Sequence, residues 1–111
     1  MDKQIKVKYG PEFQNQLTKL KLSQNKFDLQ LLKAIERENG ILFTNPHRGI
    51  QIQKDKIPTI YINEYGITNL WKINLRNFWR MLYTITGNEI EIITILLEFM
   101  DHKNYNKLFK Y

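Results

Sequence analysis

Arg80 and His102 are the two side chains whose types and spacing suggest chemistry. Arg80 stands inside the apolar run Trp79-Arg80-Met81-Leu82-Tyr83, and His102 follows the next apolar run, Ile90 to Phe99, within Asp101-His102-Lys103-Asn104-Tyr105. Arginine offers a planar fork of donors to two phosphate oxygens, and histidine offers a proton near neutral pH. RNA cleavage without a metal needs a 2′-hydroxyl aligned in line and a base to take its proton. It also needs cations for the added negative charge and an acid for the departing 5′-oxygen. A cation and a titratable ring brought to one phosphate would meet two of these needs. The plain alternatives are a rim arginine whose stem lies on Trp79 and Tyr83, and a solvated histidine in the first turn of a helix.

Other side chains extend or limit that chemistry. Arg48, Lys54 and Lys56 fall in a stretch dense in turn signals and are expected on the surface, free for a ligand. Alternation about Asp55 would set Lys54 and Lys56 on one side, opposite Ile57, as a two-toothed phosphate clamp, although such a run is commonly a solvated face. Tyr105 and Tyr111 could stack on bases or simply cover the sheet. His47, in Pro46-His47-Arg48, reads as a loop residue. The absence of cysteine removes disulfides, zinc–thiolate clusters and thiol nucleophiles, and fits a reducing cytosol. No glycine-rich phosphate loop is present, His47 and His102 are too isolated for a metal site, and the only serine, Ser23, sits between two helices. Neither metal nor cofactor is called for.

The charge points to the partner class. Seventeen Lys+Arg against eleven Asp+Glu give a net charge of +6 and a pI near 9.6, which favours polyanions such as RNA, DNA or an acidic protein. Most of the excess precedes Ile57. At 111 residues with 42% hydrophobic content the chain has room for a single domain, residues 1–111, and one modest core. Its longest mainly apolar run, Ile90 to Met100, is interrupted by charge and too short to span a bilayer, so a cytoplasmic protein without a membrane partner is expected.

The elements that must position these residues follow from periodicity. Ile5, Val7 and Tyr9 alternate with lysines as a strand with one wet face, ended by Gly10-Pro11. Phe13, Leu17 and Leu20 recur at helical spacing, with Pro11 suited to the first turn. In a second helix Asn25 caps, Asp28 occupies the first turn, Phe27, Leu31, Leu32 and Ile35 form the stripe, and Gly40 is the expected stop. Phe43 to Gly66 reads as loop with short extended pieces. Three strands then follow. Ile67, Asn69, Trp71, Ile73 and Leu75 share a face of the first; Trp79, Met81, Tyr83 and Ile85 share a face of the second, opposite Phe78, Arg80, Leu82 and Thr84. Gly87-Asn88 marks a hairpin, and the run Ile90 to Phe99, apolar on nearly both faces, is the central strand. Asp101 caps a short last helix carrying Tyr105, Leu108 and Phe109. The fold class is α+β: an N-terminal strand and two-helix hairpin on an antiparallel sheet of about four strands, closed by a C-terminal helix. The hairpin puts Arg80 and His102 at the same end of the sheet.

This order, with Trp79-Arg80-Met81-Leu82-Tyr83-Thr84-Ile85 and the closing Asp101-His102-Lys103-Asn104-Tyr105, resembles the RelE/ParE superfamily of type II toxin–antitoxin toxins. The likeness extends over essentially the whole chain, with its specific part between residues 69 and 105. It implies an endoribonuclease that cuts messenger RNA, typically on the ribosome, blocks translation, and is held inactive by a cognate antitoxin. Arg80 would hold the scissile phosphate, His102 would be the general acid, and Tyr105 would stack on or orient a base. Lys54, Lys56, Arg48 and Lys103 would bind RNA backbone. The same superfamily contains noncatalytic inhibitors of DNA gyrase, which tend to lack the closing histidine, so His102 favours RNA. A basic nucleic-acid-binding protein without toxicity is the third reading.

Overall fold

The computed structural model describes residues 3–110. Tyr111, one of the two proposed stacking tyrosines, lies outside the described residues. The chain runs as strand β1 (Gln4–Tyr9), helices α1 (Pro11–Leu22) and α2 (Lys26–Leu42), short strand β2 (Ile50–Gln51), a 3-10 turn (Lys54–Lys56) and helix α3 (Thr59–Tyr65). Strands β3 (Trp71–Asn74), β4 (Arg80–Gly87) and β5 (Glu91–Met100) follow, then helix α4 (His102–Phe109). The five strands form one sheet in the order β1-β5-β4-β3-β2.

The α+β class stands, but the sheet is not purely antiparallel and has five strands rather than about four. β1 runs parallel to β5, with Ile5 beside Ile92 and Tyr9 beside Leu96, while the remaining neighbours are antiparallel. The α1–α2 pair carries the chain away from β1, and the later hairpins bring β5 back beside it. Parallel strands need such a crossover. β5 is thereby flanked by strands and covered on both faces, which is why its sequence is apolar in nearly every position.

Helix starts follow their local signals. Pro11 opens α1. The Asn25 side chain accepts from the backbone N–H groups of Phe27 and Asp28 at 2.8 and 3.4 Å, and the Asp101 carboxylate accepts from Asn104 N–H at 2.9 Å, each satisfying donors that a helix start leaves open. Gly40 does not end α2, which runs on to Leu42. Leu42 is fully buried, so packing carries the helix past an exposed glycine. The chain then turns through Asn45-Pro46, with Thr44 and Asn45 N–H groups closing on the Ile41 carbonyl.

The stretch from Phe43 to Gly66 is more ordered than loop. It contains β2, the 3-10 turn and α3, the last ended by Gly66 in the left-handed conformation at φ 62°. Ile57 and Tyr61 anchor it in a cluster with Leu70, Leu82 and Leu97. These apolar residues are few and unevenly spaced, so no period announces them. The strand proposed from Ile67 to Leu75 shortens to β3 for the same reason: Ile67 packs with Tyr61 and Leu82, whereas Trp71, Ile73 and Leu75 face the opposite side.

The two sides of the sheet are distinct. On one, α1 and α2 contribute Phe13, Leu17, Leu31, Ile35 and Leu42 against Ile73, Met81, Tyr83, Leu96 and Phe99. On the other, Ile57, Tyr61 and Tyr105 cover Leu70, Leu82 and Leu97. β4 and β5 change register between Leu82, paired with Glu98, and Tyr83, paired with Leu96. This extra residue lets both Leu97 and Glu98 serve the α3/α4 side, as a bulge does. Gly49 is required by close approach: a Cβ there would lie 2.5 Å from the Lys72 carbonyl and 2.9 Å from Tyr83 Oη. The buried Tyr83 hydroxyl accepts from Gly49 N–H at 3.0 Å and donates to the Pro46 carbonyl at 2.8 Å.

Candidate functional site

Arg80 begins β4, opposite Asn74 on β3 and Met100 on β5. His102, two residues beyond Met100, is the first residue of α4. Strand register and helix start therefore bring both to one end of the sheet. Cross-strand partners share a face, so Arg80 lies in one row with Met100, and Lys72 lies in the next row with Leu82 and Glu98.

Arg80 is only half-buried, yet its Nε is shielded from solvent and has no hydrogen-bond partner. Among the described residues its one acceptor is the Trp79 carbonyl, 3.4 Å from Nη1. The described ion pairs are Lys6–Glu91 and Arg48–Glu38, so no carboxylate neutralises it among the described residues. The guanidinium instead lies over the Tyr105 ring, 5.3 Å from the centroid, and Lys72 Nζ lies 5.3 Å from the same centroid. An aromatic face steadies a cation without cancelling its charge.

Tyr105 is placed by α4, one turn after His102, and is 3% exposed. Its ring centroid is 4.5 Å from that of Phe109. A ring so covered does not offer a face to a base, which corrects the stacking role; what the position allows is holding Arg80. His102 itself is exposed. Its Nε2 is 3.0 Å from the Asn106 amide nitrogen, one helical turn on, and its ring is 5.9 Å from that of Phe78. Lys103 is exposed beside it in the first turn of α4.

The loop cations are arranged differently from expectation. Lys54 and Lys56 stand in a 3-10 turn, where alternate residues diverge around the axis, so the shared side expected of a strand is lost. Lys56 faces a groove shared with Leu108, Phe109 and Lys110 at the far end of α4, away from His102. Arg48 is not free: its Nη2 is 3.1 Å from Glu38 Oε1. His47 shares a recess with Gly87 and Asn88, at the opposite end of β4 from Arg80. The structure thus sets Arg80 over Tyr105 and puts His102 and Lys103 at the same end of the sheet, while Arg48 pairs with Glu38 and Lys56 lines the groove at the far end of α4.

Lys72, Phe78 and Asn106 join the site without having been singled out from sequence. Lys72 alternates with Trp71 and Ile73, so its side of β3 was legible, but its row partner was not. A second group of three cations, Lys33, Arg37 and Arg76, lines a groove of about 480 Å³ between α2 and the β3–β4 turn.

Glu98 lies on the Arg80 side of the sheet but serves the fold. It accepts a short hydrogen bond from the Tyr61 hydroxyl. Burial is the main cause of its raised pKa; the Tyr61 bond opposes the rise, and the nearby Glu12 and Glu64 charges add to it. Burial, with help from Glu98, also raises the Tyr61 hydroxyl far above its ordinary value. Among the described residues no helix is long and apolar enough to cross a membrane. Comparison with protein-family models, with curated proteins and with solved structures finds no match to this chain.

Proposed function

We propose that this protein is an endoribonuclease of the RelE-like toxin class, cutting messenger RNA, in the setting of the ribosome, without a metal or cofactor. The observation that carries the reading is Arg80: an arginine held in a strand, steadied on a buried tyrosine, lacking a carboxylate, and placed at the same end of the sheet as an exposed histidine. An unpaired cation fixed beside a proton donor suits a phosphodiester whose charge grows in the transition state. Arg80 holds the nonbridging oxygens, with Lys72 as a second cation on the same face. His102 protonates the departing 5′-oxygen, Tyr105 positions Arg80, and Lys103 contacts the flanking backbone. The RNA 2′-hydroxyl is the nucleophile: its proton passes to water as O2′ bonds to phosphorus and the P–O5′ bond breaks, so the products are a 2′,3′-cyclic phosphate and a 5′-hydroxyl that takes the His102 proton.

The basic surface, +6 overall, also suits an acidic antitoxin that folds onto the protein and covers the site. The test is cell-free translation. The parent inhibits it and leaves 2′,3′-cyclic phosphate ends, whereas an Arg80→Ala/His102→Ala double variant does neither. Equal inhibition by the double variant would overturn the assignment, and inhibition of DNA supercoiling with translation untouched would replace it with a gyrase inhibitor.

A further inference from the structure

Phe78 is the least explained large side chain near the site. It is 70% exposed, so burial does not account for it. It also sits at φ 63°, directly after Asn77 at φ 58°. Asparagine tolerates the left-handed region; a residue with a bulky β-substituent is disfavoured there. The turn holding it is closed on both sides, by Leu75 N–H to the Trp79 carbonyl at 2.8 Å and Trp79 N–H to the Arg76 carbonyl at 3.3 Å. The ring is therefore held out from the surface at a defined place, 5.9 Å from the His102 ring and two residues from Arg80. Strain kept in this way concentrates where a side chain has a task.

We propose that Phe78 forms a nucleobase subsite: a base of single-stranded RNA next to the scissile phosphate stacks on its open face, setting the register of the phosphate held by Arg80. The inference rests on the endoribonuclease reading. It assigns to Phe78 the stacking that the buried Tyr105 does not offer. Stacking needs a flat exposed ring beside cations that hold the backbone. Here Arg80 and His102 lie on one side of the turn, and the groove of Lys33, Arg37 and Arg76 lies on the other. The exposed neighbours Arg76, Asn77 and His102 are polar, so Phe78 is not the centre of an apolar patch of the kind a protein anchor uses.

The test compares the parent with Phe78→Asn, Phe78→Trp and Arg80→Ala in cell-free translation, mapping messenger cleavage against protein concentration. Phe78→Asn suits the left-handed backbone, so it should fold and raise the urea midpoint. Loss of one stacked base should raise the concentration for half-maximal cleavage by about 5- to 150-fold and broaden the bases found at the cut. Phe78→Trp should remain near the parent. If Phe78→Asn cuts the same sites at the same concentrations as the parent while Arg80→Ala does not cut, the subsite is wrong and the nuclease stands. If the parent cuts no messenger, the nuclease reading fails and the subsite falls with it.

Discussion

Replacing Arg80 by alanine should separate function from stability, because the structure gives this arginine little to do for the fold. Among the described residues its polar and aromatic interactions are a 3.4 Å bond to the Trp79 carbonyl and the cation–π contact with Tyr105. A partly buried cation–π contact is worth about 0.5–2 kcal/mol. Against this stands the desolvation of an Nε–H without a partner, which costs roughly 1–3 kcal/mol and is recovered on truncation. The two nearly cancel, so the urea midpoint, read through Trp71 and Trp79 fluorescence, should move by no more than about 1 kcal/mol equivalent. Removal of a preorganised charge at the reacting phosphate should lower the cleavage rate about 10²–10³-fold, or roughly 2.7–4 kcal/mol of barrier. A variant destabilised by about 3 kcal/mol or more, yet cleaving at the parental rate while folded, would make Arg80 a structural residue and refute the assignment.

Three further outcomes follow from the same geometry. His102→Gln should slow cleavage of an ordinary phosphodiester by about 10²–10⁴-fold, as expected for loss of an acid, but should barely slow a substrate whose 5′-bridging oxygen is replaced by sulfur; equal losses on both would exclude protonation of the leaving group. Gly49→Ala forces a Cβ to within 2.5 Å of the Lys72 carbonyl and threatens the Gly49 bond to Tyr83, so urea denaturation should show a loss of about 1–3 kcal/mol, and unchanged stability would contradict the packing described. Because the folded protein raises the Glu98 pKa above its ordinary 4.5, Glu98 binds its proton more tightly folded than unfolded. Its contribution to stability is complete below 4.5 and is lost as pH rises through the folded value. Glu98→Gln should flatten that decline in urea midpoints measured at several pH values, and an undiminished slope would place its cause elsewhere.

The residues themselves were enough to find the elements with regular apolar spacing. Phe13/Leu17/Leu20 and Leu31/Ile35 face the sheet as their spacing requires, and Met81, Tyr83 and Ile85 share one side of β4 with Trp79 just before it. Asn25 and Asp101 cap because a short polar side chain before a periodic run meets open backbone donors. Gly87-Asn88 turns because Gly87 takes φ 147° and the Asn88 side chain accepts from Ile90 and Glu91. Less regular stretches were hidden. The order in α3 rests on Ile57, Tyr61 and Leu70 meeting side chains far along the chain, and periodicity carries no record of such contacts.

For the site the division is sharper. Composition and alternation alone establish that a basic, cysteine-free chain carries an arginine within one strand and a histidine after the next, and on which side of β4 Arg80 falls. What surrounds them came from packing across the sheet. It paired Arg80 with Met100 and set Lys72 with it over Tyr105. It buried Tyr105, tied Arg48 to Glu38, put Lys56 in a groove at the far end of α4, and set Phe78 beside His102. Facing and capping depend on neighbours three or four residues away, whereas burial and ion pairing depend on groups brought together across the sheet, whose register no local pattern specifies.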